Sequence, residues 1–354
     1  RMEPPFWWSD MNYSDVQIMF YGKNIAQNEV AVSNGIVIKG IQKTENPNYV
    51  FVTIDTKNIP TQDFVFTFKN KNKSFTKQYS LKARRENSKD GRHGGDIEGI
   101  INNLDYIKEL GVTAVWPTPL CEDNDEKGSY HTYGQSDVYK IDSRFGTNED
   151  YLRLSTELHK RGMKNIMDYV TNHWGYNHWM IKDLPTYEWI HQFPGYAQTN
   201  YRMASQFDVN ASKKDFNLCM DGWFVKSMPD LNQTNPLVLN YLTQNAIWWI
   251  EYADLDGFRV DTYSYNDKKG ISEWTKAILD EYKPTRALFI DDLPQHHDSV
   301  SQLTPEVIRL HLCGEPMIAP HIDCAHQAGH AHARIDQWDA ALPWILEQMH
   351  GEDA

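Results

Sequence analysis

The sequence predicts an α/β chain in which an N-terminal β-sandwich precedes an incomplete (β/α)8 barrel of the TIM type. Three observations carry this reading. Over residues 1–84, short β-rich runs alternate with turn residues. From Ile97 onward, helices of apolar 3.6 period end near a glycine and lead into short, continuously apolar strands. One such strand, Gly257-Phe258-Arg259-Val260-Asp261-Thr262, ends in a carboxylate with an arginine two residues before it.

The sandwich strands are Val16-Gln17-Ile18-Met19-Phe20, Ile36-Val37-Ile38, Tyr49 to Ile54, Phe64 to Phe68 and Tyr79-Ser80-Leu81, spaced as in a two-sheet β domain. Phe6-Trp7-Trp8 reads as packing, with stacking on a carbohydrate as the alternative. Ala83 to Gly95 is polar and turn-rich, a linker. Ile97 to Leu110 then repeats at helical spacing, Gly111 ends it, and Val112-Thr113-Ala114-Val115-Trp116 follows as a buried strand. The same grammar recurs with Tyr151–Lys160 before Asn165–Val170, with Leu237–Tyr252 before Asp256–Thr262, and with Ile271–Tyr282 before Ala287–Asp291. Helices alternating with fully apolar strands imply a parallel sheet with helices outside it. The catalytic domain spans residues 91–291. Residues 174–235, rich in Tyr, Trp, Asn and Met without helical period, form an inserted loop or subdomain on the face where barrel active sites lie.

Composition excludes several classes. A net charge of −13 disfavours a nucleic-acid surface, which needs clustered Lys and Arg. No apolar run approaches the length that spans a bilayer. Four cysteines, Cys121, Cys219, Cys313 and Cys324, show no C-x-x-C and signal neither a zinc site nor a disulfide framework. The 12 Trp and 19 Tyr suit sugar faces, although large core residues explain many of them.

Arg259 and Asp261 share one face of their strand, so the guanidinium keeps the carboxylate ionised and aimed, as a nucleophile at a strand's C-terminal end requires, with a structural ion pair as the alternative. Three further segments stand near strand ends: Tyr130-His131-Thr132-Tyr133-Gly134, Asp168-Tyr169-Val170-Thr171-Asn172-His173 and Met228-Pro229-Asp230-Leu231-Asn232. Singly, each has a structural explanation. Together and in this order they resemble the α-amylase family of retaining glycosidases, glycoside hydrolase family 13, and within it the neopullulanase and cyclomaltodextrinase branch. The likeness covers roughly residues 3 to 290. It implies Asp261 as nucleophile, Arg259 as its orienting partner, Tyr133 as a stacking platform, His131, His173 and Asp230 as substrate-binding residues, and an architectural role for Asp168. Asn172 matches a position that ligates calcium in many members, so a structural Ca²⁺ is implied, with no cofactor required for the chemistry. The implied partner is an α-glucan, and a homodimer and a periplasmic or secreted location follow from the same likeness.

The chain departs from the family where the general acid is expected. Retaining hydrolysis pairs the nucleophile with a protonated carboxyl about 5 to 5.5 Å away. A barrel unit of about 30 residues puts the acid's strand near 290, and Ala287-Leu288-Phe289-Ile290-Asp291-Asp292 offers Asp291 where the likeness predicts a glutamate. Asp291 is the provisional acid. Glu315 lies too far along, and His296-His297-Asp298 follows its strand too closely to be the family's transition-state pair. Composition also shifts: no Lys follows Lys283, no Tyr follows Tyr282, and eight of the 14 His lie from His296 onward. Residues 292–354 are therefore an atypical His-rich tail, ending in an amphipathic helix from Ile335 to Met349 interrupted by Pro343. His326, His330 and His332 read as a solvated loop sooner than a metal site. The sequence supports an α-glucan hydrolase first. The alternatives are an impaired, truncated or hybrid α-glucan-binding protein, and an esterase-type hydrolase, which the lack of a Gly-x-Ser-x-Gly elbow disfavours.

Overall fold

A computed structural model describes residues 1–71, 73–83, 95–125, 129, 131–312, 331–335 and 338–350. They fall into two compact units, Arg1–Asp267 and Lys268–Ala354. Most of the predicted linker, Cys313, Cys324, Gly314, Glu315, His326 and His330 lie outside the described residues.

The first unit opens with eight strands: β1 (Met2–Glu3), β2 (Trp7–Trp8), β3 (Asp15–Tyr21), β4 (Glu29–Val32), β5 (Val37–Lys43), β6 (Tyr49–Asp55), β7 (Gln62–Asn70) and β8 (Lys73–Lys82). They form two four-stranded sheets, ordered β1-β3-β6-β5 and β2-β8-β7-β4. Along β7 the period of two buries Phe64, Phe66 and Phe68 on one face. Phe20 of the other sheet meets Phe66 and Phe68 edge-on at 4.8 and 4.9 Å, which closes the sandwich core. Trp7 and Trp8 are buried, and Phe6 and Trp8 pack against Trp248, so this aromatic run is packing.

The β/α portion of the unit runs α1 (Gly95–Asn102), α2 (Leu104–Glu109), β9 (Ala114–Val115), β10 (Cys121–Glu122), β11 (Asp137–Ile141), α3 (Asn148–His159), β12 (Lys164–Val170), α4 (Lys213–Asp221), α5 (Pro236–Ala253) and β13 (Gly257–Asp261). The helix expected from Ile97 to Leu110 is two helices, because Asn103 leaves helical geometry between them. Gly111, at φ 82°, ends the second as expected. Thr147 and Asp150 form a capping box that starts α3, and Asn235 with Pro236 starts α5. Strands β13-β12-β9 make a parallel sheet, with Asp168 in register with Arg259 and Val170 with Asp261. The inserted region holds α4 and short 3₁₀ turns, more order than its aperiodic sequence suggests.

Helix α5 joins the sandwich to this sheet. Gln244 accepts from the Gln17 backbone N–H and donates to the Gln17 carbonyl, both at 2.8 Å, extending the β3 edge by one side chain. Tyr241 donates to the buried Glu3 carboxylate at 2.6 Å.

The second unit comprises α6 (Lys268–Tyr282), β14 (Leu288–Asp291), α7 (Pro294–Leu303), β15 (Ile308–Leu312), β16 (Ala333–Ile335) and α8 (Trp338–His350), which carries Pro343 inside it. Its strands are parallel, ordered β14-β15-β16, and Leu310, Leu312 and Ala341 form its core with Leu288, Trp344 and Ile345. The compositionally odd tail thus adds α7, β15, β16 and α8 to a unit that begins before it with α6 and β14. Among the described residues the strands of the parallel β/α sheets number three in each unit, an incomplete set of barrel-type units. Cys121 and Cys219 are buried free thiols.

At the base of the first sheet, Asp256 ties three elements together. Its carboxylate meets His159 Nε2 at 2.6 Å, Lys164 Nζ at 2.7 Å and the Asn165 N–H at 2.9 Å. Burial opposes a charge on His159, but Asp254 and Asp256 outweigh it and raise its pKa above the ordinary 6.5. A folded-state pKa raised above the unfolded one adds stability that is present in full below pH 6.5 and is lost as pH rises through the folded value. His159→Gln should therefore cost on the order of 1 kcal/mol at pH 6 in urea unfolding, with the deficit shrinking toward pH 9. A deficit constant across that range would place the contribution in packing instead.

Candidate active site

The site begins with the register of β12 and β13. Parallel pairing sets Asp168 beside Arg259, and the period of two sets Asp261 on the same face. Arg259 Nη1 reaches Asp168 Oδ1 at 3.1 Å and Asp261 Oδ1 at 2.5 Å. The two carboxylates outweigh burial and raise the guanidinium pKa further. Asp168 is buried, which pushes its carboxyl up against the opposing pull of Arg259 and of Trp116 Nε1, which donates to it at 2.9 Å. The Tyr133 hydroxyl lies 3.3 Å from both Asp168 Oδ2 and Arg259 Nη1. Burial, then Asp168, pushes that phenol up to about 12. The Trp116 and Tyr133 rings lie 5.2 and 6.0 Å from the guanidinium, within cation–π range.

Beyond Asp261 the chain turns at once, with Thr262 left-handed at φ 48°. Gln233 ties the two strand ends together, donating to the Thr171 carbonyl and Asn266 Oδ1 and accepting from the Asp267 N–H. Tyr133 follows a second left-handed residue, Thr132 at φ 57°, and its N–H donates to His131 Nδ1 at 3.0 Å. His131 therefore shapes the turn that presents Tyr133. Gly175 makes the next approach: a Cβ there would stand 2.2 Å from the Gly134 carbonyl oxygen, so only glycine lets the Tyr133 loop cross the end of β12.

His173 is buried, stacked on Phe224 at 5.4 Å and 13°, with neither ring nitrogen bonded within the protein. Burial lowers its pKa to about 4 against the opposing charge of Asp261, so the imidazole is neutral near pH 7 with an N–H to offer. Asn172 donates to Asp230 Oδ1 at 2.8 Å, and His191 Nδ1 meets Asp230 Oδ2 at 2.6 Å. Burial pushes Asp230 up to about 7, with His191 and Asn172 pulling the other way. Asp230 is thus a buried partner within this network. Asp291, in the second unit, ends β14, and its Oδ1 accepts from the Leu293 N–H at 2.7 Å and pairs with His296 Nδ1 at 2.8 Å.

The donors around Asn172 do not suit calcium, which takes six to eight oxygens. Both Asp230 oxygens are engaged, one of them by an imidazole, and the backbone carbonyls of Asn172 and Asp230 accept the N–H groups of Leu231 and His191. The Asn172 side-chain oxygen and the adjacent Thr171 hydroxyl lack a protein partner there, two oxygens where calcium needs at least six. Among the described residues no group of three or more His, Cys, Asp or Glu could hold a metal ion.

The structure therefore gathers Arg259, Asp261, Asp168 and Tyr133 around one guanidinium, orders Tyr133 through His131, and links Asn172 to Asp230. Trp116 and His191 belong to these clusters and carry no motif. Trp116 ends an apolar run and reads as strand, yet its indole N–H is what Asp168 uses. His191 lies in the aperiodic insertion, where only the need of a buried Asp230 for a partner could have pointed to it.

A carboxylate and arginine on adjacent parallel strands stand at the C-terminal end of a β/α sheet, the face on which β/α barrels carry their sites. The chain belongs to the alpha-amylase family: residues 64–350 match the alpha amylase catalytic domain, and residues 1–85 match the cyclomaltodextrinase N-terminal domain. It is 31% identical over 223 residues to alpha-amylase 3 of Dictyoglomus thermophilum, covering 58% of this chain and 41% of that protein. With a cyclomaltodextrinase of Geobacillus thermopakistaniensis it shares 33% identity over 194 residues, 52% of this chain and 30% of the relative. An alpha-amylase of Geobacillus thermoleovorans, solved in complex with acarbose, superimposes with TM-score 0.50 at 35% identity over 64% of this chain and 47% of that one. The chain thus spans less than half the length of these relatives.

Gly175→Ala should destabilise the protein by about 1–3 kcal/mol in urea unfolding, since the added methyl meets backbone. Gly195→Ala, with open space around its Cα, is the control. Equal midpoints for the two variants would refute the close approach of the Tyr133 loop.

Proposed function

We propose that this chain is a retaining glycoside hydrolase acting on α-glucosidic bonds of starch-like glucans, such as maltooligosaccharides, pullulan or cyclodextrins. The observation that carries the reading is the Arg259 guanidinium bridging Asp168 and Asp261 at the end of β13. Asp261 attacks the anomeric carbon, forming a C–O bond as the glycosidic C–O bond breaks. The leaving oxygen takes a proton from a carboxylic acid, provisionally Asp291. Water, deprotonated by the same group, then displaces Asp261 and gives the sugar with retained configuration. Arg259 Nη1 directs one oxygen of Asp261. Tyr133 offers its ring to a sugar face, and neutral His173 offers an N–H to a sugar hydroxyl. Family membership and the relatives' printed activities support the substrate class.

A second reading, an α-glucan binder impaired in turnover, is favoured by Asp291, whose Oδ1 already accepts from Leu293 and pairs with His296. Leaving-group chemistry separates the two. An α-glucosyl or α-maltosyl fluoride needs little acid assistance, whereas maltotriose needs it fully. Hydrolysis of both supports the enzyme with a working acid; fluoride alone supports a chain with its nucleophile and no acid.

A fluoro-sugar that arrests the covalent intermediate should label Asp261 in peptide mass spectrometry, and Asp261→Asn should lower kcat by at least a thousandfold. Labelling elsewhere, or turnover surviving the substitution, refutes the assignment. Calcium has no place in this scheme: the thermal midpoint should be the same in EDTA as in millimolar calcium, whereas a ligated ion would raise it.

A further inference from the structure

Within the first unit, the inserted region opens a cleft of about 1000 Å³, at the upper end of ordinary ligand pockets. Tyr176, Tyr196 and Trp223 line it with Asn177, Gln192 and Lys226, whereas Asp261, Arg259, Tyr133 and His173 do not. Tyr196 and Tyr176 are nearly half exposed, at 46% and 48%. Tyr196 meets Trp223 edge-on at 6.0 Å, and the Trp223 indole is fixed by its N–H to the His191 carbonyl at 2.8 Å. Asn177 is held at the rim by donating to Asp125 at 2.7 Å. Lys182 Nζ sits 3.8 Å from the Tyr176 ring centroid, anchoring that ring as well.

The chemistry of the lining selects its ligand. Rigid rings with exposed faces suit the C–H faces of pyranoses, and amide groups suit paired hydroxyls. Asp125 and Lys226 on the lining, with Lys182 over the Tyr176 ring, leave no strong field of either sign, so a neutral ligand fits better than a phosphate or an ammonium. The cleft also continues the active site along the chain. The peptide that carries His173 runs on into Tyr176 and Asn177, and Trp223 adjoins Phe224, which stacks on His173. The peptide from Val225 to Ser227 leads directly to Met228 and Asp230.

We propose that this cleft is a second glucan-binding site, which holds a neutral stretch of α-glucan on Tyr196, Tyr176 and Trp223 away from the Arg259–Asp261 centre. It rests on the α-glucan reading for the identity of the sugar. Its role is to retain long chains near the catalytic carboxylate, so it acts on polymer and long oligosaccharide more than on a disaccharide.

The test uses the full chain. Tyr196→Ala and Tyr176→Ala, both at exposed rings, are checked for folding by thermal midpoint. Each is then run in native gels containing soluble starch and titrated calorimetrically with maltoheptaose. The expected result is retardation lost and maltoheptaose bound about tenfold more weakly. Retardation equal to the parent in both variants overturns the proposal. Fluoro-sugar labelling of Asp261 in the parent reads the hydrolase assignment independently. Label present with unaltered retardation removes the cleft alone. Label absent with retardation lost removes the hydrolase and keeps the cleft.

Discussion

The first unit depends on one guanidinium shared by two carboxylates. Arg259 is half-exposed and Asp168 is buried, so the pair resists exchange with water on only one side. A buried carboxylate without a cation is costly, and a cation between two carboxylates relieves both. That requirement fixes the register of β12 against β13: a slip of one residue would send Asp168, or Arg259 and Asp261, to the opposite face. The Tyr133 loop is drawn to the same point by its hydroxyl, and Trp116 by its indole N–H. The Tyr133 loop and the end of β9 therefore converge on β12 and β13 because one charge needs satisfying. The chemistry proposed for Asp261 uses a geometry that folding already demands.

The parts of the fold legible in the sequence are those where local signals agree. Phe64, Phe66 and Phe68 alternate on β7, and Gly111 and Gly162 stop helices with left-handed backbones before apolar strands. Arg259 and Asp261 are legible because a strand's period of two places them on one face, whereas Asp168 joins them through the register of β12 against β13, which no local period supplies. Short or irregular pieces were not. The antiparallel pair β10–β11 rests on a two-residue strand with a register shift, too little periodicity to be seen. The division of the expected first helix at Asn103 costs one residue's geometry and leaves the apolar spacing intact. His191 and Trp223 sit where no period applies, and their positions follow from long-range partners, Asp230 and the His191 carbonyl.

The tail illustrates the difference between composition and fold. Its lack of Lys, Tyr and Asn set it apart from the body of the chain, and only a terminal helix was expected in it, yet it also holds α7 and the parallel strands β15 and β16, which pair onto β14. Leu310, Leu312 and Ala341 make a core that needs only apolar volume at the right period, and no particular residue vocabulary. Pro343 is tolerated inside α8. Membership of the alpha-amylase family extends through this region, with residues 64–350 matched.

Two carboxylates with opposite duties need opposite surroundings. Asp261 has its surroundings: a guanidinium on one oxygen and the other left to approach carbon. Asp291 has a different set, since Oδ1 accepts from the Leu293 N–H and faces the His296 ring, a geometry that also starts α7. In the proposed scheme, Oδ2 is then the oxygen left to meet a leaving group. The side chain is one methylene shorter than glutamate, so Oδ2 has less reach to correct its own position. Freeing Oδ1 would cost α7 a bond at its first turn, which ties the helix's start to the orientation of the acid. In the proposed scheme, the orientation of the acid is thus tied to the turn in which the Leu293 N–H binds Asp291 Oδ1 just before α7.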